Sequence, residues 1–292
     1  MPGLKDTQKI DTHIPTALRQ GRALLQFEAS AKAALVIAHP GHELRVHGWL
    51  EFARPAVFVL TDGSGRAAAS RLEATRRILA VALARPGSIY GWLADREFYS
   101  ALLQRQVEKF VRLSEELAHA LMANRVDYVV GDKVEGYNPA HDICRCVIDA
   151  AVALVEGRGR RIANFEFCLM NEIGEINPDA VTLQLDDEAL ARKLQAARSY
   201  TELSGEVDAA LMKREARQFG TERFSAIAQP FAHVEPPQLP TFYESYGEQQ
   251  VTAGYYDRVI RYRDHVLPVI EALKEHVKCK SAGVSGREQE KS

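Results

Sequence analysis

Short apolar segments alternate along the chain with longer segments in which apolar residues recur every three or four positions. The apolar segments have the length of buried β-strands and cover residues 33–38, 56–60 and 126–131. Helical periodicity covers residues 44–53, 71–85, 99–123 and 138–155. Strands that alternate with helices predict an α/β fold with a doubly wound, mostly parallel sheet.

The pattern changes in the second half of the chain. Residues 161–169 are typical of a further strand, and residues 181–185 alternate as in a half-exposed strand. Asp186 or Asp187 then caps a predicted long helix that runs toward Gly220. Four prolines between residues 229 and 240 predict an extended linker. We therefore predict one α/β domain at 1–228 and, at 229–292, a linker with a helical C-terminal extension packed on that domain.

Composition narrows the functional classes. The 292 residues carry a formal net charge of -2, so charge gives no support for a nucleic-acid partner. No apolar run approaches the roughly 20 residues of a membrane-spanning helix, and the polar N-terminus is unlike a secretory signal. The four cysteines form no CxxC pair and are predicted to be reduced thiols. These features favour a cytoplasmic protein with a small-molecule or glycan substrate, and they leave homo-oligomers open.

Histidines follow two of the predicted strands. His39 and His42 lie in Ala-His-Pro-Gly-His-Glu after the first strand, and His141 begins the helix after the third. The carboxyl ends of parallel strands form one edge of a sheet, where ligands bind. Three neutral imidazoles with an open fourth position suit a catalytic zinc ion. In a chain with nine histidines, the HxxH spacing alone is equally compatible with chance.

A family resemblance adds to this pattern. Ala-His-Pro-x-x-Glu after a strand, Leu-Thr-Asp-Gly after the second, an Arg/Glu-rich helix and Asn-Pro-x-His after a later strand resemble LmbE-like (PIG-L-type) N-acetylglucosamine deacetylases. The resemblance spans residues 35–146, with a weaker echo at 193–224, and leaves the tail uncovered. It implies a Rossmann-like fold and a zinc-dependent hydrolase that removes an acetyl group from an N-acetylated amino sugar or related amide.

The resemblance also assigns roles to individual positions. His39 and His141 match metal ligands of the family, and His42 stands in place of a ligand Asp. Gly41 stands where the family has its catalytic base, and Asn138 where it has the histidine that supports the oxyanion. An alternative is therefore a protein of this fold with altered catalysis, which serves as a metal-stabilised binding or assembly subunit. Zinc, or another divalent metal, is the cofactor in both hypotheses.

The sequence does not single out one proton acceptor. Asp62, Asp132, Glu135 and Asp142 are candidates because each lies at or just beyond the carboxyl end of a strand. Asn138 is either an oxyanion donor or simply a helix N-cap.

Four further residues are predicted to surround the metal or the substrate. Glu43 is expected to brace the imidazoles. His47 either lines the pocket or makes structural hydrogen bonds. Arg71 either binds substrate or lies on a solvated helix face, and Tyr137 is expected to contact a sugar or a transition state.

Overall fold

A twisted sheet forms the centre of the molecule. In the computed structural model, which describes residues 30–65, 69–170 and 180–289, the strands are β1 (Ala33–Ile37), β2 (Ala56–Thr61), β3 (Arg85–Leu93), β4 (Tyr128–Asp132), β5 (Ala163–Phe167), β6 (Val181–Gln184) and β7 (Thr221–Ala226). Their order across the seven-stranded sheet is β3-β2-β1-β4-β5-β7-β6. Neighbours from β3 to β5 are parallel, whereas β7 is antiparallel to both β5 and β6. The predicted α/β class with a mostly parallel sheet is confirmed.

Helices cover both faces of this sheet. They are α1 (His47–Ala53), α2 (Leu72–Val81), α3 (Asp95–Leu103), α4 (Val107–Ala123), α5 (Pro139–Glu156), α6 (Asp187–Ser199), α7 (Ser204–Lys213), α8 (Phe242–Thr252) and α9 (Leu267–Gln289). Side chains alternate across β1, so Ala34 and Val36 join the core under α4 and α5, and Leu35 and Ile37 join the core under α1 and α2. Within the described ranges no helix is long and apolar enough to span a membrane.

The first half of the chain departs from the sequence prediction around β3. The single helix predicted at 99–123 is wrong, because Arg105 adopts φ 54° and separates α3 from α4. The helix predicted to reach residue 85 ends at Val81, and Pro86 and Gly87 lie inside β3. Proline is tolerated there because β3 is an edge strand. At Gly87 a Cβ would overlap the Phe58 ring, so the close approach of the two strands requires glycine.

The helix predicted to run from Asp186 toward Gly220 is also wrong in its length. Asp186 does cap α6, since its Oδ1 accepts a hydrogen bond from Ala189 N at 2.8 Å. The helix ends at Ser199 because Tyr200 turns inward and is buried, with its hydroxyl 3.0 Å from Thr75 Oγ1. The chain then forms α7 and the unpredicted strand β7, which pairs with both β5 and β6.

The C-terminal segment packs on the same core as α4 and α5. The buried residues from this segment are Val234, Tyr243, Tyr262, Val266, Val269, Ile270 and Leu273. The C-terminal residues thus share this core with α4 and α5. The boundary at residue 228 stays a prediction.

A buried ion pair connects β7 to α6, and its carboxylate also binds the first turn of α1. Glu222 Oε1 accepts hydrogen bonds from Lys193 Nζ and Gly48 N, both at 2.8 Å, and Oε2 accepts one from Trp49 N at 2.8 Å. Only 2% of Glu222 and 6% of Lys193 are exposed. The carboxylate thereby satisfies N–H groups in the first turn of α1 and fixes the helix that follows the histidine loop.

Replacing Glu222 with alanine is expected to lower the free energy of unfolding by about 3–5 kcal/mol, because the Lys193 ammonium would remain buried without its partner. Chemical denaturation measures the change. Glu248→Ala is the matched control, since its ion pair with Arg261 is largely exposed and should contribute less than about 1 kcal/mol. Equal losses in the two variants would contradict this assignment.

Candidate metal centre

Three histidines meet beyond the carboxyl ends of β1 and β4. His39 lies two residues after β1, His42 begins a short 3₁₀ helix (His42–Val46), and His141 lies in the first turn of α5. Gly41 has φ 107°, a conformation that favours glycine, and it turns the chain so that both loop histidines face the same space. The structure thus brings together the three residues that the sequence singled out as metal ligands.

The three imidazole rings have the spacing of rings that share one ion. Their centroids are 5.4 Å apart for His39 and His42, 5.3 Å for His39 and His141, and 4.6 Å for His42 and His141. Three imidazoles bound to a tetrahedral ion at nitrogen–metal distances of about 2.0–2.1 Å have centroids about 5 Å apart. The arrangement of the rings therefore fits a common metal ion.

The state of the ring nitrogens also fits a metal. His39 Nε2 and His141 Nδ1 are buried without a hydrogen-bond partner, and buried polar atoms are otherwise almost always satisfied. His42 uses Nδ1 to contact Asp132 and so keeps Nε2 for a ligand. Burial, reinforced by the neighbouring histidines, lowers the pKa of His42 and of His141 well below the usual range. Both rings are thus neutral, which is the form that binds metals.

The three imidazoles are not arranged as a complete set of metal ligands. In the three described ranges, no group of three or more His, Cys, Asp or Glu side chains is arranged so as to hold a metal ion. The donor chemistry and the ring spacing fit, whereas the nitrogens do not converge on one point. A metal bound here would therefore have to draw the imidazoles into alignment, and the ligand assignment stays a proposal.

Residues of β2 and of the start of α3 contact His39 at its Nδ1 atom. Its Nδ1 lies 2.7 Å from Thr61 Oγ1 and 3.3 Å from Asp95 Oδ1. Asp95 is fixed in turn by Gly65 N, which donates to Oδ2 at 2.8 Å. Burial alone would raise the pKa of Asp95, but its contacts with His39 and Thr61 lower it to well below the usual range. These contacts at Nδ1 restrain the imidazole ring and leave Nε2 free of a hydrogen-bond partner.

Asp95 is a site residue that the sequence analysis missed. It begins α3 directly after β3, and that strand was itself not predicted. A carboxylate that follows a strand at the same sheet edge was the available signal.

Asp132 holds His42 in the same manner. Its Oδ2 accepts a hydrogen bond from Ala38 N at 2.8 Å, and the carboxylate lies 2.9 and 3.1 Å from His42 Nδ1. The residue is fully buried at the end of β4. Burial raises the pKa of Asp132 to about 6, although the neighbouring His141 and the hydrogen bond from Ala38 N oppose this. With both oxygens committed, Asp132 is placed to orient His42 rather than to receive a proton.

Changing Asp132 to asparagine is expected to weaken zinc affinity about 10- to 100-fold, because the amide keeps the volume but loses the charge that orients His42. Competition with a chromophoric chelator measures the dissociation constant. Asp187→Asn, at an exposed position on α6, should leave affinity unchanged. Wild-type affinity in the Asp132 variant would show that His42 is not a ligand.

The other two predicted aspartates differ in their access to solvent. Asp142 is buried, its Oδ1 accepts from Glu135 N and Gly136 N, and burial raises its pKa to about 7. Asp62 is partly exposed, and its Oδ1 accepts from Ser64 N at 3.0 Å and from Asp95 N at 3.0 Å. Asp62 is thus the only one of the three predicted aspartates that keeps access to solvent.

Glu135 and Glu43 both bind backbone N–H groups. Glu135 accepts hydrogen bonds from Leu169 N and Met170 N, which ties the loop after β4 to the loop after β5. Glu43 Oε2 accepts from Gly41 N at 2.7 Å, and its Oε1 accepts from Thr75 Oγ1 at 2.8 Å. Burial raises the pKa of Glu43 to about 7. The Glu43 side chain therefore stabilises the histidine loop by accepting a hydrogen bond from the loop's backbone at Gly41.

The remaining predicted residues lie around this centre. His47 is buried at the start of α1, where burial lowers its pKa, and its charged neighbours are Glu51 and Glu222. Arg71 Nε donates to Gly63 O and so shapes the loop after β2.

Asn138 is the N-cap of α5. Its Oδ1 accepts from Ala140 N at 2.8 Å, and its amide lies 3.2 Å from Tyr99 Oη. Tyr137, the preceding residue, is exposed and stacks on Phe242.

Comparison with known proteins gives a structural likeness. The crystal structure of the A40926 pseudoaglycone deacetylase Dbv21 superposes with a TM-score of 0.51 at 18% identity, over 69% of this chain and 99% of that one. The zinc-inhibited form of teicoplanin deacetylase Orf2 gives a TM-score of 0.45 at 12% identity, over 68% and 99%. No protein-family model and no curated protein matches the sequence. At 18% identity the first likeness establishes a shared fold, and the second is too distant to support an argument.

Proposed function

We propose that this chain is a metal-dependent N-deacylase that removes an acyl group, most simply acetyl, from an N-acylated amino sugar or related amide. The observation that carries the proposal is the cluster of His39, His42 and His141, with two buried ring nitrogens that have no partner. The fold shared with the pseudoaglycone deacetylase supports the choice of reaction.

The donor set suits zinc or another divalent ion of similar preference. Three neutral imidazoles are ligands that zinc favours at catalytic sites. When bound, such an ion supplies a polarising charge for an acyl carbonyl and acidifies a water molecule. His39, His42 and His141 would hold it, while Thr61 with Asp95 and Asp132 would orient the rings.

Asp62 is the proposed proton acceptor. Asp132 has both oxygens engaged by Ala38 N and His42, and Asp142 is buried against the loop at Glu135. Asp62 follows Thr61, whose hydroxyl contacts His39, and its Oδ1 accepts a hydrogen bond from the backbone of Asp95, whose side chain also contacts His39. A partly solvated carboxylate there can take a proton from the attacking water and pass it to the departing amine.

Asn138 is the proposed donor to the oxyanion. Its Oδ1 accepts a hydrogen bond from Ala140 N, which fixes the orientation of the amide, and Nδ2 donates one hydrogen to Tyr99 Oη, which leaves the second Nδ2 hydrogen for a ligand. Tyr99 Oη, 3.2 Å away, holds the same amide from the α3 side. A preoriented amide donor stabilises negative charge that develops on an acyl oxygen.

The loop at Gly41 favours a second candidate, a metal-stabilised binding subunit. A Cβ at Gly41 would overlap Leu203 Cδ1, and φ 107° is strained for any other residue. The loop is therefore built around glycine, and the aspartate expected here from the family resemblance cannot be accommodated without rearrangement. In this alternative the centre binds a metal and an amide ligand without turnover.

Release of free amine from a panel of N-acetylated amino sugars distinguishes the two candidates. We expect zinc-loaded protein to release amine, chelation to stop the release, and added zinc to restore it. Bound metal with no amine released from any member of the panel would reject the deacylase and favour the binding subunit.

A further inference from the structure

Three aromatic rings, from the loop before α5 and from α8, form a parallel stack on the surface. The centroids of Tyr137 and Phe242 are 4.5 Å apart with planes 8° from parallel, and those of Phe242 and Tyr246 are 6.0 Å apart at 15°. The exposed fractions are 36% for Tyr137, 45% for Phe242 and 39% for Tyr246. We call this group the aromatic stack. Large rings exposed together are unusual on a protein surface and mark binding sites.

The aromatic stack is fixed relative to the proposed metal centre. Tyr137 is joined by one peptide unit, about 3.8 Å between Cα atoms, to Asn138 at the start of α5. Phe242 N donates to Gly136 O at 2.9 Å, so α8 is tied to the same loop. Thr241 and Glu244 form a capping box that holds the first turn of α8. The stack therefore lies at a set position on the Asn138 side of the centre.

The geometry leaves one surface of Tyr137 for a ligand. Phe242 covers one ring face, and 36% of Tyr137 stays exposed for contact with a ligand. A flat apolar group placed there continues the stack, because aromatic faces prefer parallel, offset contact. Phe242 and Tyr246 support the Tyr137 ring from behind and limit its rotation.

We propose that Tyr137 binds a second pyranose ring, linked to the sugar that carries the N-acyl group. This inference rests on the proposed deacylase function and extends it to a substrate of at least two rings. The C–H face of a pyranose is flat and apolar, and its own hydroxyl groups form a polar rim around that face. Three side chains offer much less surface area than the roughly 800 Å² that each partner buries in a stable protein interface. The small area favours a sugar over a protein as the ligand.

Binding of a monosaccharide and a disaccharide tests the proposal. Calorimetry or saturation-transfer NMR on the full chain would compare N-acetylglucosamine with N,N′-diacetylchitobiose. Wild-type protein should prefer the disaccharide, and Tyr137→Ala should reduce that preference about two- to tenfold, the range expected for one aromatic contact. Tyr137→Phe keeps the ring face and should restore it. Phe242→Ala, which removes the support, should give a smaller loss.

Met212→Ala is the matched control, because Met212 is an exposed apolar residue on α7 and should keep the wild-type preference. Equal disaccharide preference in wild type and Tyr137→Ala would overturn the proposal, and so would failure of the wild type to bind the disaccharide. Loss of a dimer in Phe242→Ala during sedimentation would instead assign the stack to a protein interface. Lost disaccharide preference without any amine release would keep the sugar site and reject the deacylase.

Discussion

Replacing His141 with alanine is expected to lower kcat/KM for deacylation at least about 1,000-fold. The change removes one of three proposed metal ligands, and the charge stabilisation supplied by a bound metal amounts to several kcal/mol in the transition state. His141 lies 4.6 Å from His42 between ring centroids, so its loss also opens the centre to water. Amine release and metal content, measured on the same preparation, should fall together.

His119→Ala is the matched control for this experiment. His119 is an exposed histidine on α4, and its replacement should leave both metal content and activity at wild-type values. Circular dichroism of the His141 variant should show the wild-type helix content, which separates loss of the metal from loss of the fold. A folded His141→Ala protein with full activity would reject the centre described above.

The Asp62→Asn variant is expected to lose about 10²- to 10⁴-fold in kcat, the usual contribution of a general base. The amide oxygen can still accept from Ser64 N and Asp95 N, so the loop after β2 should keep its shape. Metal content should be unchanged.

Glu73→Gln is the control for Asp62, because Glu73 is an exposed carboxylate on α2. Its kcat should match the wild type. If Asp62→Asn retained the wild-type rate, the proton acceptor would have to be another group.

Local patterns predicted the central part of the fold well. The strands at β1, β2 and β4 are continuous apolar runs buried on both sides, and such runs need no long-range information to be recognised. Asn138 and Pro139 also marked the start of α5, because an Asn N-cap followed by Pro in the first turn is a local sequence signal. Because parallel strands end at one edge, the sequence also indicated that His39, His42 and His141 would come together.

Elements that depend on tertiary contacts were missed. Strand β3 contains proline and glycine and is stabilised by pairing with β2, so its sequence alone favours a turn. Strand β7 exists through its pairing with β5 and β6. The orienting role of Asp95 depends on β3, and the aromatic stack depends on α8 folding back onto the loop at Gly136. None of these contacts has a local signature.

The anomalous difference map of a zinc-soaked crystal, recorded at the zinc absorption edge, tests the central claim most directly. The account predicts one peak about 2.0–2.1 Å from a ring nitrogen of each of His39, His42 and His141. It also predicts that Asp132 and Asp95 keep their contacts with the other ring nitrogens of His42 and His39. A map with no peak among the three imidazoles, or with zinc held only by other residues, would contradict it.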